Sequence, residues 1–215
     1  MATIPSAPRG QLFIWTDVDP AHDPDFNRWY DREHMQERIG IAGFERARRF
    51  RAAAACPRPY LALYDTENLQ VFRSTEYRQA FARQTEWSRR NFARMRDTQR
   101  RVGELTVDAG EGEGGALALF VLADLSMPPA QLEPHFRRTV EREHVVRASL
   151  LDTDLALSSP LSADAPPARA DRVAMVEATD VDAAFDAAQR LARQLSVDAA
   201  DGGVYVFRTL WRLGA

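Results

Sequence analysis

The feature that most constrains this chain is that one order of strands and helices is written twice. A polar, glycine-rich stretch, DAGEGEGG over 108–115, divides its 215 residues. In the first part Gln11–Val18 is an apolar, β-favouring run. Asp23-Pro24 supplies an N-cap and an N1 proline, opening a helix that reaches about Ile39 and stops near Gly40 or Gly43. Phe44–Arg51 and Tyr60–Asp65 read as strands. Asn68–Arg83 reads as helix with a break at an N-cap, Ser74, and Trp87–Arg96 as further helix. Arg100–Val107 holds a last strand. In the second part Ala116–Leu125 is a strand, and Pro128-Pro129 opens a helix to about Ser149. Leu155–Ser158 and Arg172–Glu177 are strands flanking a Pro/Ala-rich loop, Ser159–Ala170. Val181–Leu195 is an amphipathic helix, and Gly203–Leu213 is the closing strand.

Each part is strand–helix–strand–strand–helix–strand, the split βαβ or ferredoxin-like unit. Arg32-Glu33-His34 recurs as Arg142-Glu143-His144, 110 residues on, and both copies fall late in the first helix of their part. We therefore expect an α+β protein of two tandem ferredoxin-like repeats, 1–108 and 116–215, joined by a linker over 109–115. A lone four-stranded unit leaves one sheet face bare, so the two antiparallel sheets should pack face to face and cover each other.

Composition removes several chemistries. All 28 basic residues are arginine, so a lysine Schiff base is excluded. A net charge of −3 argues against nucleic acid as the main partner. One cysteine, Cys56, excludes an internal disulfide, and no Cys/His spacing suits zinc. No apolar run approaches the ~18–20 residues that span a bilayer, and the first residues lack the apolar core of a secretory signal. The expectation is a soluble cytoplasmic protein with no membrane partner.

The densest chemical constellation is DFNRWYDREHMQER, Asp25–Arg38. On an α-helix Phe26, Tyr30 and His34 share a stripe, Asp31 reaches His34 at i+3, and Trp29 and Glu33 lie beside them. A histidine with an acid neighbour and an aromatic wall can act as general acid or base. The plainer alternative is a structural histidine bonded to a local carbonyl. His144 lacks the Trp-Tyr pair, so a second site is not expected there. Strand alternation adds Trp15 and Asp17 on the first strand and Tyr60 and Tyr64 on the third. The aromatic faces suit the space between the sheets, the aliphatic faces the helices. Either Arg48 or Arg49, mid-strand, should turn inward to hold a carboxylate; Arg48 is the one carried forward.

FNRWYDREHMQERIGIAGFERARRF, with PRPYLALYDTE and STEYRQAF after it, resembles the EthD-like proteins of the dimeric α+β barrel superfamily. The likeness covers roughly Leu12 to Trp87; the second part matches in element order and Glu143-His144. It implies a barrel closed within one chain, or in a homodimer, and a small hydrophobic or polyketide-like substrate. The motif histidine maps to His34, with Trp29, Tyr30, Asp31 and Glu33 as companions. The leading expectation is a cofactor-independent lyase, isomerase or cyclase. His34 moves a proton, Asp31 or Glu33 orients it, Tyr30 assists, and Trp15, Asp17, Trp29, Arg48, Tyr60, Tyr64 and Trp87 hold the substrate. The alternatives are oxidative chemistry, as a monooxygenase or with haem, and a non-catalytic binding module.

Overall fold

The computed structural model describes residues 8–123, 126–158, 170–195 and 203–214. Eight antiparallel strands close into one barrel. They are β1 (Gly10–Val18), β2 (Phe44–Ala52), β3 (Tyr60–Thr66), β4 (Met95–Gly110), β5 (Ala116–Leu122), β6 (Val145–Thr153), β7 (Arg172–Ala178) and β8 (Tyr205–Gly214). Around the barrel they run β1-β3-β2-β8-β5-β7-β6-β4. Outside lie α1 (Asp23–Trp29), a π-helical turn (Tyr30–His34) and α2 (Met35–Ile39). They are followed by α3 (Thr75–Ala82) and α4 (Glu86–Phe92), and in the second part by α5 (Pro129–Val140) and α6 (Val181–Gln194). Ser74 caps α3 as expected, its hydroxyl accepting from the Tyr77 amide at 3.0 Å.

The closure differs from the expected pair of facing sheets. Strand edges from the two parts hydrogen-bond to each other, β2 with β8 and β4 with β6, so the sheet is continuous. β4 is 16 residues long because it does two jobs: its start pairs with β1 and its end with β6. It runs through Gly110, into the stretch read as a linker.

Closure buries both faces of the sheet, in three apolar cores. One lies between the first-part strands and α1–α4, a second between the second-part strands and α5 and α6. The third fills the barrel, where Phe13, Trp15, Phe50, Leu63, Leu119, Met175 and Phe207 meet. One end of the barrel is charged. There Arg48 of the first part donates to Glu177 of the second at 2.6 Å, and Asp65 accepts from Arg46, Arg48 and Gln11.

Two expected elements change. α5 ends at Val140, and Val145–Thr153 is a strand, whereas Leu155–Ser158 is a turn. Val145-Val146 are β-branched and apolar and polar residues alternate over Val146–Leu150, which suits a pleat better than a helix. His144 therefore stands exposed in a turn with φ of 67°, and is not the counterpart of His34. The Pro/Ala-rich loop and the end of the Ala116–Leu125 run fall outside the described residues.

Candidate functional site

The first helix is interrupted where the chemistry was expected. Over Tyr30–His34 the hydrogen bonds step by five residues, the Met35 amide donating to the Tyr30 carbonyl. The Gln36 side chain bonds the Asp31 carbonyl at 2.9 Å. Such π-turns recur at functional sites because they re-aim side chains. Here the turn lays His34 against the outer face of the sheet. The ring is 5% exposed. It stacks on Trp29 with centroids 4.4 Å apart and meets the edges of Tyr30 at 5.1 Å and Phe92 at 5.3 Å. Tyr64 of β3 lies 6.2 Å away.

The electrostatics are those of a dry interior beside two positive charges. Burial, then the charges of Arg38 and Arg49, hold the His34 pKa well below its ordinary value, so the ring is neutral at pH 7. Burial pushes the Tyr64 phenol well up and that of Tyr30 up, so both stay protonated. Three buried polar atoms here lack a hydrogen-bond partner: His34 Nδ1, the Tyr64 hydroxyl and Arg38 Nη1. Buried polar atoms are normally paired. All three belong to one aromatic layer, in which the Tyr64 hydroxyl also neighbours that of Tyr30.

The acids expected to orient His34 do other work. Asp31 pairs with Arg49. Glu33 accepts from Thr85 Oγ1 at 2.6 Å and Ser88 Oγ at 3.2 Å, and Ser88 accepts from the Trp29 indole at 3.0 Å; together they tie the π-turn to the start of α4. The acid facing Nδ1 is Glu37, 3.9 Å away, which sequence reading missed. Its i+3 spacing from His34 was the available signal.

The remaining candidates divide between two layers. Trp29, Tyr30, Tyr60 and Tyr64 share the helix-facing core with His34, and Trp87 packs at its margin, its indole donating to Asp25 at 3.2 Å. This corrects the expectation that Tyr60 and Tyr64 face the other sheet; Leu61 and Leu63 point into the barrel instead. Trp15 does lie inside the barrel, away from His34, and donates to the Arg58 carbonyl at 2.6 Å. Asp17 is a partly exposed partner of Arg96 at 2.9 Å. Arg48 is buried in the charged end of the barrel. Of Arg48 and Arg49, it is Arg49 that reaches the aromatic layer, its guanidinium 4.3 Å from the centre of the Tyr30 ring. A shallow surface depression with no room for a water molecule, lined by Ile14, Thr16, Tyr30, Arg49 and Tyr60, lies beside it.

No family model matches the sequence, and no curated sequence matches it. Solved structures do. An anthrone oxidase-like protein matches with TM-score 0.64 at 9% identity, over 98% of this chain and 94% of that one. A monooxygenase-like protein from Fusobacterium nucleatum subsp. nucleatum matches with TM-score 0.60 at 8% identity, over 98% and 96%. A chlorite dismutase-like protein matches with TM-score 0.56 at 7% identity, over 95% and 96%. The chain thus has the dimeric α+β barrel fold of these proteins.

These neighbours correct the expectation of no cofactor: the barrel is shared with a chlorite dismutase-like structure. The fold carries no presumption against a cofactor. The residues around His34 nonetheless do not fit a haem. Trp29 covers one ring face and three further rings crowd its edges, leaving no slot for a macrocycle on either nitrogen. Among the described residues no helix is long and apolar enough to cross a membrane.

Proposed function

We propose that this chain is an oxidative enzyme of the monooxygenase or oxidase type, acting on a small aromatic or carbonyl-bearing molecule. The observation that carries it is the set of unpartnered buried polar atoms on His34, Tyr64 and Arg38, within an aromatic layer. The fold shared with anthrone oxidase-like and monooxygenase-like proteins supports the oxidative class over the lyase, isomerase or cyclase expectation. In this reading neutral His34 takes the proton that the substrate gives up on oxidation. Tyr64 and Arg38 donate to the oxygen that gains negative charge. Trp29, Tyr30 and Tyr60 wall the substrate.

The same reading treats the barrel as a tandem of ferredoxin-like units. Its support is the strand order, which runs β4-β1-β3-β2 in the first part and β8-β5-β7-β6 in the second. We take only the first unit to be equipped for chemistry, and the protein to work in the cytoplasm on a small molecule.

Oxygen uptake tests this. With anthrone and a panel of related phenols we expect substrate-dependent uptake that falls at least ~100-fold in His34→Gln, the usual weight of a general base, and stays intact in His144→Ala. Substrate loss without oxygen uptake would return the protein to the lyase class. Equal rates in wild type and His34→Gln would remove His34 from the chemistry.

A further inference from the structure

We propose that Glu37 is the positioning acid of His34: its carboxylate fixes the ring as the tautomer with hydrogen on Nδ1, and closes onto that N–H when Nε2 takes a proton. The inference rests on the reading above, since it assigns the basic atom of the same histidine and the anion that serves it. It begins from a missing charge. A proton taken by His34 makes a buried cation, and a buried cation needs an anion. Three acids lie on Tyr30–Ile39. Asp31 is held by Arg49, and Glu33 by Thr85 and Ser88. Glu37 is uncommitted: among the described residues its one polar side-chain contact is His34 Nδ1, at 3.9 Å. Nδ1 is itself buried and has no hydrogen-bond partner. Each is the other's nearest unmet partner.

The contact is aimed but not closed, since 3.9 Å exceeds a hydrogen bond by about 1 Å. His34 has 6% of its side chain exposed and is wedged among four rings, whereas Glu37 has 35% exposed. The acid is therefore the half that can move, and its i+3 position keeps it beside the ring. The groups facing the ring from other elements offer no competing anion. Arg38 on α2 and Arg49 on β2 are cations, Tyr30 of the π-turn and Tyr64 of β3 stay protonated, and α4 presents the Phe92 ring. Among the described residues Glu37 supplies the one negative charge within 4 Å of the imidazole. A carboxylate only accepts, so the nitrogen that faces it carries the hydrogen and Nε2 keeps the lone pair. The substrate's proton then bonds to Nε2, no bond to Nδ1 breaks, and the imidazolium is paired as it forms. Basicity that burial removes from the resting ring is returned as Glu37 closes.

Nitrogen-15 NMR of histidine-labelled protein reads the tautomer without turnover, His34 being identified by the signals that His34→Gln lacks. In wild type at neutral pH we expect hydrogen on Nδ1 and a bare Nε2, and in Glu37→Leu we expect that preference to be lost. In oxygen uptake, Glu37→Gln should lower kcat at least ~10-fold while KM changes less than ~2-fold, the pattern of a contact that tightens only as the proton moves. Because Glu37 has no other side-chain partner, both variants should melt like the wild type. A bare Nδ1 in wild type, an unchanged tautomer in Glu37→Leu, or wild-type kcat in Glu37→Gln would each overturn the proposal. The wild-type spectrum decides even if a variant fails to fold. If the tautomer is as expected and no substrate drives oxygen uptake, the oxidative reading falls while Glu37 keeps its hold on the ring, so the two fail separately.

Discussion

His34 places an imidazole where its neighbours, not the solvent, set its charge. The folded chain resists protonating it until well below the ordinary value, while the unfolded chain takes up the proton near pH ~6.5. The unfolded state then binds more protons as pH falls below that value. The stability contributed by the neutral ring is fully present above pH ~6.5 and is lost as pH drops beneath it. We expect urea midpoints of the wild type to decline between pH 6.5 and 5, and those of His34→Phe to stay flat over that window. Phenylalanine also removes Nδ1, an unpartnered buried atom whose desolvation costs about 1–3 kcal/mol. A gain of about 1 kcal/mol at pH 7, with turnover abolished, is the expected outcome. A loss of stability there would mean that Nδ1 has a partner worth more than its desolvation.

At the scale of elements, what could be read in the sequence and what could not divide along one line. Alternation and caps placed β1, β3, β7, α6 and the Ser74 cap close to where they lie, because those signals are local. Ideal spacing failed over Tyr30–His34: one π-turn moves Asp31 away from His34 and onto Arg49, and brings Glu37 to the ring. Alternation also cannot say which face is inside when both are buried. Tyr60 and Tyr64 therefore read as facing the other sheet, and Arg48 rather than Arg49 as the arginine of the site; a bulge between Phe44 and Arg46 further shifts the β2 register. The double duty of β4 was equally hidden, since it depends on a partner about 50 residues away. A methyl group would expose that dependence. A Cβ at Gly103 would stand 2.0 Å from the Asp152 carbonyl oxygen on β6, a backbone atom that cannot step aside without opening the β4–β6 seam. Gly103→Ala should therefore cost about 3 kcal/mol, at the upper end of overpacking effects, in chemical denaturation. A cost below about 0.5 kcal/mol would mean that the seam is slack.

For the whole molecule the seams matter because closure is what covers the interior: neither part, alone, would bury both faces of its sheet. Apolar packing fills most of the barrel, but the charged end joins the parts specifically. Arg48 spans from Asp65, on its own part, to Glu177 on the other, and all three are buried. Burial alone would raise the Asp65 pKa, but Arg48 and Arg46 outweigh it and bring it down to about 2. That depression means stability present above pH ~3.8 and lost as pH falls towards 2. Such a cluster contributes through matching rather than raw attraction, because desolvation offsets most of the Coulomb gain. A half-removed pair is then worse than none. Glu177→Leu should cost about 3 kcal/mol by leaving Arg48 short of an anion. The double variant Arg48→Met/Glu177→Leu should recover most of that loss, with both parts still unfolding in one transition by tryptophan fluorescence and far-UV circular dichroism. If the double variant were less stable than the sum of its singles, or if the two signals separated, the charged end would be holding the halves together by attraction, and the barrel would not be one cooperative unit.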